Sequence, residues 1–146
     1  MILVDSSAWV EFLRATGSAV HIDLRSALQE GAELACTDVI VMEILAGARD
    51  QADRDRLRRL LYGTEFLAVD GPSDYEQAAD LYRLCRAGGE TPRKLTDCLI
   101  AAVAIRNDAE LLCEDADFLT IARHAPLRLR TPAGRAPAGR GRHARR

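Results

Sequence analysis

No stretch of this chain is apolar for long enough to cross a bilayer. The longest mostly apolar runs, Val39–Ala46 and Cys98–Ile105, fall well short of the roughly 20 residues a spanning helix needs. The N-terminus has neither a basic segment nor an apolar signal region, because Asp5 interrupts its first apolar residues. Neither a signal peptide nor a membrane helix is expected, and a cytoplasmic location is. Histidine is scarce: His21, His124 and His143 are the only three, and none stands at a spacing that suits zinc. The four cysteines, Cys36, Cys85, Cys98 and Cys113, form no C-x-x-C pair and sit among apolar neighbours. That pattern suits buried, reduced thiols in a cytosolic protein. No phosphate-binding loop, dinucleotide fingerprint or internal repeat is present, and nothing sets a histidine beside a candidate nucleophile.

Acids are missing from the last part of the chain. Residues 118–146 hold 8 arginines and no acid, whereas residues 1–117 hold all 22 acids and 12 of the 20 bases. The net charge of −2 therefore hides an acidic body and a basic end. The final stretch, TPAGRAPAGRGRHARR, has no apolar periodicity and too little to bury, so 131–146 is expected to be a disordered basic tail. It is either a non-specific nucleic-acid tether or a solubilising appendage. Residues 1–130 are expected to form one domain of ordinary size.

Within that domain, short strand signals alternate with helical ones. Strands are predicted at Ile2–Asp5, Leu34–Cys36, Glu65–Val69, Glu110–Cys113 and Leu127–Arg130. Helices are predicted at Ser7–Leu13, with Ser6 or Ser7 as cap, Ser18–Gly31, Asp38–Ala48, Gln51–Tyr62, Thr96–Asn107 and Ala116–Arg123. A further helix is predicted from a Ser73-x-x-Glu76 capping box to about Ala87, stopped by Gly88-Gly89. This alternation argues for an α/β domain of three layers, α/β/α, around a central parallel sheet. Ligands bind such sheets outside the carboxyl ends of the strands.

Carboxylates collect at those ends. Asp5 closes the first strand, and Asp115 and Asp117 follow the Glu110–Cys113 strand in LLCEDADF. Asp97 opens the apolar helix of KLTDCLIAAVA, and Glu43 lies inside VIVMEILAG. Singly, the aspartates have plain roles as helix caps or first-turn acids, worth roughly 0.3–1 kcal/mol each. Glu43 fits such a role least. It is surrounded by Val39, Ile40, Val41, Met42, Ile44, Leu45 and Ala46, no lysine is near it in sequence, and Arg49 is six positions away. A carboxylate buried there has to be paired, neutralised or bound to a cation. Together, the five acids would repel one another unless a divalent ion joined them. An all-oxygen donor set selects a hard ion, Mg²⁺ or Mn²⁺, and such a site can hydrolyse a phosphodiester.

With VDSS at residue 5, the isolated glutamate of VIVMEILAG, DCLIAAVA from residue 97 and EDADF from residue 114, the chain resembles the PIN-domain ribonucleases. More narrowly it is similar to the VapC-type toxins of toxin–antitoxin pairs, over about residues 1–130. The resemblance implies a PIN-like nuclease domain and Mg²⁺-dependent endoribonuclease activity, with Asp5, Glu43, Asp97 and Asp115 as an acidic quartet. It implies Asp117 as a further ligand or support and Ser7 as the hydroxyl that orients Asp5. It also implies a homodimer and a cognate antitoxin protein, in a heterotetramer or larger assembly, with no membrane partner. Ser6 and Cys113 stand where the family often has threonine. Arg83, Arg86, Arg93 and Lys94 precede Asp97 and either grip RNA phosphates or form solvated surface. The competing reading is a catalytically silent PIN-like binding module whose acids hold a partner's arginine. A topoisomerase–primase-like D-x-D site ranks lower, because that fold wants a glutamate after its first strand. A haloacid-dehalogenase site wants D-x-D where this chain reads DSS.

Overall fold

The computed structural model describes residues 1–132. The expected basic tail lies, from residue 133 onward, outside the described residues. Four strands, β1 (Ile2–Val4), β2 (Leu34–Cys36), β3 (Glu65–Phe66) and β4 (Glu110–Leu112), form a parallel sheet in the order β3-β2-β1-β4. Every residue of β1 and β2 is buried. Successive strand residues face opposite sides of a sheet, so both faces are covered. This is the three-layer arrangement that the alternation of elements predicts.

Seven helices are described: α1 (Ser6–Leu13), α2 (Ala19–Gln29), α3 (Asp38–Ala46), α4 (Gln51–Tyr62), α5 (Ser73–Ala87), α6 (Leu95–Arg106) and α7 (Ala116–His124). None is long and apolar enough to cross a membrane. α6 is buried at every position from Asp97 to Ala104, as an all-round apolar helix must be. α4 instead buries only Leu57 and Leu61 and leaves its charged face to solvent. The largest fully buried side chains, Trp9, Phe118 and Leu3 among them, belong to one core. Gly89 follows α5 with φ +84°, a conformation that glycine adopts without a Cβ penalty. All four cysteines are free. Burial pushes the thiols of Cys36 and Cys113 up to about 12 and that of Cys98 up to about 11, so these are inert thiols.

The structure departs from the sequence reading at several ends. Asp5, not Ser6 or Ser7, caps α1. The Ser73-x-x-Glu76 box is not formed: Ser73 is already helical and Pro72 is the cap, with no side-chain bond. Asp74 instead turns back to accept the Asp70 N–H at 2.8 Å. Only Glu65–Phe66 of the third predicted strand is extended and paired. The strand predicted at Leu127–Arg130 shrinks to one parallel bridge, Leu129 to Leu111, with Arg128 and Arg130 exchanging backbone hydrogen bonds with Leu111; the Arg130 side chain pairs with Asp23 of α2 at 2.8 Å.

Asp74 also ties α5 to α6. Arg106 Nε and Nη2 each donate to it at 2.9 Å, and Nη2 reaches Ala68 O at 2.8 Å. Burial pushes the Asp74 carboxyl up, but Arg106 and the Asp70 amide outweigh it and hold the group below its usual range. Asp74 is only 2% exposed, so Arg106→Ala leaves a buried carboxylate with little but an amide. Urea unfolding should show a loss of about 2 kcal/mol. An unchanged midpoint would mean that the pair does not hold α5 to α6.

Candidate metal centre

Parallel pairing sets the site. Val4 stands opposite Leu112, and the Asp5 N–H donates to Leu112 O at 2.9 Å. The chain therefore leaves β1 and β4 at the same carboxyl edge. Asp5 and Asp115 each cap the helix that follows, α1 and α7. For Asp5 the cap uses only one of the two carboxylate oxygens, so capping α1 does not occupy the whole group. Asp5 Oδ2 accepts the Ser7 N–H at 3.0 Å and the Ser7 hydroxyl, while Asp5 Oδ1 is buried with no hydrogen-bond partner. Asp115 Oδ1 accepts the Asp117 N–H at 3.0 Å, which leaves Oδ2 for other partners. Ser7 also links the two strand ends, since its Oγ accepts the Glu114 N–H at 2.9 Å.

α6 and α3 bring the other two acids. Asp97 sits in the first turn of α6, whose cap position is Lys94. The expected N-cap role of Asp97 is thus not taken up, and its place near the helix dipole is. Asp97 is 2% exposed and its Oδ2 is buried without a hydrogen bond. Glu43 Oε2 accepts the Ser6 hydroxyl at 3.3 Å, and Glu43 Oε1 is buried without a partner. Asp97, Asp115 and Asp117 each place one carboxylate oxygen within 4.8 Å of the others. Asp5 and Glu43 are not members of that trio, but both carboxyls feel the Asp115 charge. The partnerless oxygens of Asp97, Asp5 and Glu43 fit a hard divalent ion, whose ligands are oxygens.

The carboxyls show the strain of this crowding. Burial raises Asp5, and the nearby Asp115 charge adds to it. Burial and then the Asp5 charge raise Glu43. Asp97 is pushed up to about 8, chiefly by burial; Lys94 opposes the shift and the Asp115 and Asp5 charges reinforce it. Asp115 goes the other way. Burial lifts it, but the Asp117 amide, Lys94 and Arg93 outweigh burial and hold it below its usual range.

Arg93 and Lys94 are part of this centre. Arg93 Nη2 lies 3.2 Å from Asp115 Oδ1 and Nε lies 3.3 Å from Asp117 Oδ1. The Arg93 and Lys94 backbone N–H groups donate to Asp117 Oδ2 at 2.9 and 3.2 Å. Asp117 is thus an anchor for the segment that enters α6, with both oxygens engaged. Lys94 also acts on Glu43 through space, though burial and the Asp5 charge outweigh it. Both bases line a cleft of about 520 Å³ with Asp5, Ser6, Ser7 and Asp115. A neighbouring cleft of about 470 Å³ holds Glu43 with Arg14, Arg49 and Arg56, and Val10 lines both. Arg86 and Arg83 line neither described cleft: Arg86 lies 5.9 Å over the Tyr82 ring and Arg83 pairs with Asp80 at 3.7 Å. Sequence reading missed Ser6 as a partner of Glu43. The only signal for it was its place in the DSS run.

Residues 2–124 match the PIN domain family. Ribonuclease VapC11 of Mycobacterium tuberculosis is 49% identical over 124 residues, which cover 84% of this chain and 92% of that protein. Among solved structures, VapBC2 from Rickettsia felis bound to a promoter DNA fragment aligns with a TM-score of 0.69 at 17% identity, over 89% of this chain and 98% of that one. A toxin–antitoxin complex from Klebsiella pneumoniae aligns with a TM-score of 0.63 at 21% identity, over 81% and 90%. These two structural likenesses are likenesses of fold.

The Asp97 shift has a consequence for stability. An unfolded aspartate ionises near pH 3.9, whereas folded Asp97 keeps its proton up to about 8. Between those values the folded state binds more protons, so stability falls as pH rises. Thermal melts of chelator-treated protein should show Tm declining from pH 5 to pH 8. Asp97→Asn should flatten that decline and raise Tm at pH 8 by several degrees. A mutant profile parallel to wild type would remove Asp97 as the source.

Proposed function

The chain belongs to the PIN-domain family, among its VapC ribonucleases, and on that footing we propose that it hydrolyses RNA at a divalent ion held by Asp5, Glu43, Asp97 and Asp115. Mg²⁺ is the ion proposed, with Mn²⁺ as a substitute. The observation that carries the reading is the trio of buried, partnerless oxygens on Asp5, Glu43 and Asp97, with Asp97 gathered against Asp115 and the Asp5 and Glu43 carboxyls near enough to feel the Asp115 charge. Such an ion, when bound, acidifies a water and offsets charge on the phosphodiester oxygens.

The chain's own residues do the rest. Ser7 holds Asp5 by one oxygen and turns the other inward. Asp117 fixes the backbone of Arg93 and Lys94, and so supports Asp97 and Asp115 from behind; we assign it as support. Glu43 is steadied by Ser6 through Oε2, which leaves its buried Oε1 as the oxygen that would hold the ion.

The partner proposed is a cognate antitoxin protein, in keeping with the toxin–antitoxin complex of like fold. A homodimer is proposed too, within a heterotetramer or larger assembly. Met42 of α3, 60% exposed, and Leu95 of α6, 61% exposed, supply apolar surface for it. The second reading, a silent module that holds a partner's arginine, draws on the Arg93 fork: Asp115 and Asp117 already accept a guanidinium.

Cleavage assays separate the two. Purified protein should cut RNA with Mg²⁺ and stop in EDTA. Asp5→Asn or Asp97→Asn should lower the rate at least about a hundredfold, with circular dichroism confirming the fold. Undiminished cleavage by both variants would overturn the metal assignment. Ser7→Ala should weaken Mn²⁺ binding roughly tenfold, as loss of a ligand's support does. Calorimetry reads this, and unchanged affinity would remove Ser7 from the site.

A further inference from the structure

Lys94 and Arg93 are neighbours with different targets. Arg93 takes Asp115 Oδ1 and Asp117 Oδ1, one of them already bound to the cap of α7. Lys94 Nζ lies 3.3 Å from Asp115 Oδ2 and 4.0 Å from Asp97 Oδ2. The first is the Asp115 oxygen that capping leaves over. The second is one of the three buried oxygens with no hydrogen bond. Lys94 therefore addresses two oxygens that a divalent ion would need, and Arg93 does not.

The root of Lys94 is fixed and its side chain reaches solvent. Its backbone N–H is held by Asp117 Oδ2 at 3.2 Å, with extended backbone at the α6 cap position. Its side chain is 51% exposed. An ammonium on a flexible stem is a compact charge without fixed geometry. It can offset carboxylate repulsion and leave towards solvent without moving the backbone.

We propose that Lys94 is the resident cation of this carboxylate group: it competes with the divalent ion for Asp97 Oδ2 and Asp115 Oδ2, and so sets the ion concentration at which the site loads. The inference rests on the metal-dependent reading above. Lys94 is a positioning residue in this role, and it acts through the carboxylates.

The test is Mn²⁺ titration of chelator-treated protein by calorimetry, with thermal melts alongside. Lys94→Met should bind Mn²⁺ about tenfold tighter than wild type, because no ammonium has to be displaced. Its Tm without Mn²⁺ should fall, and its Mn²⁺-induced rise in Tm should exceed that of wild type. Lys94→Arg, which keeps the charge, should stay near wild-type affinity. Lys94→Gln repeats the first arm if the methionine variant does not fold. Equal or weaker Mn²⁺ binding by the neutral variants overturns the proposal. Failure of wild-type protein to bind Mn²⁺ would instead overturn the metal reading beneath it.

Discussion

Like charges held together out of water constrain everything at the carboxyl edge of this sheet. Asp5 and Asp97 are almost fully buried, Asp115 stands close enough to alter the ionisation of both, and Asp5 alters that of Glu43. Such a group survives folding only if each member finds compensation. The structure supplies it piece by piece. Ser7 and the amides of α1 serve Asp5, Ser6 serves Glu43, the start of α7 serves Asp115, and two bases close the mouth. What remains uncompensated is confined to single oxygens on Asp5, Glu43 and Asp97. The local architecture thus pays stability for a place where a cation is strongly favoured, as functional sites commonly do.

Much of the frame was legible in the sequence. Short strands, each followed by a helix, give the parallel sheet, and parallel pairing carries Asp5 and Asp115 to one edge. The buried α6 was legible because its apolar residues run all round. Glu43 stood out because an acid inside an apolar helix is expensive, whereas Asp97 alone read as a first-turn acid and gained meaning only beside the other carboxylates. The helix starts were less legible. Asp and Ser compete for the same cap position, and the choice at Asp5-Ser6-Ser7 and Asp70–Ser73 was settled by tertiary contacts. The strand at Leu127–Arg130 was legible in place but not in length, since it pairs with β4 at a single bridge.

Least legible were contacts between distant parts of the chain. Nothing local to ETPRK links Arg93 and Lys94 to Asp115 and Asp117, which follow 21 or more residues later. Reading those bases as RNA grips or solvated surface omitted a third option, in which they neutralise the acids of their own chain. The same gap hid the action of Lys94 on Glu43. Pairings of this kind depend on how two strand–helix junctions converge, which periodicity does not report.

The bridge between Leu129 and Leu111 carries a consequence of another kind. β4 ends one side of the sheet, and its outer edge is covered by Leu111 bonded to Arg128 and Arg130, with Arg130 clasped by Asp23. At the other side β3 is only two residues long and exposed, too short to recruit a foreign strand. The short segment after α7 therefore acts as a guard on the longer edge. A chain cut after His124 would keep all four acids and its core helices, yet offer β4 to any extended peptide, and self-association would be its characteristic failure.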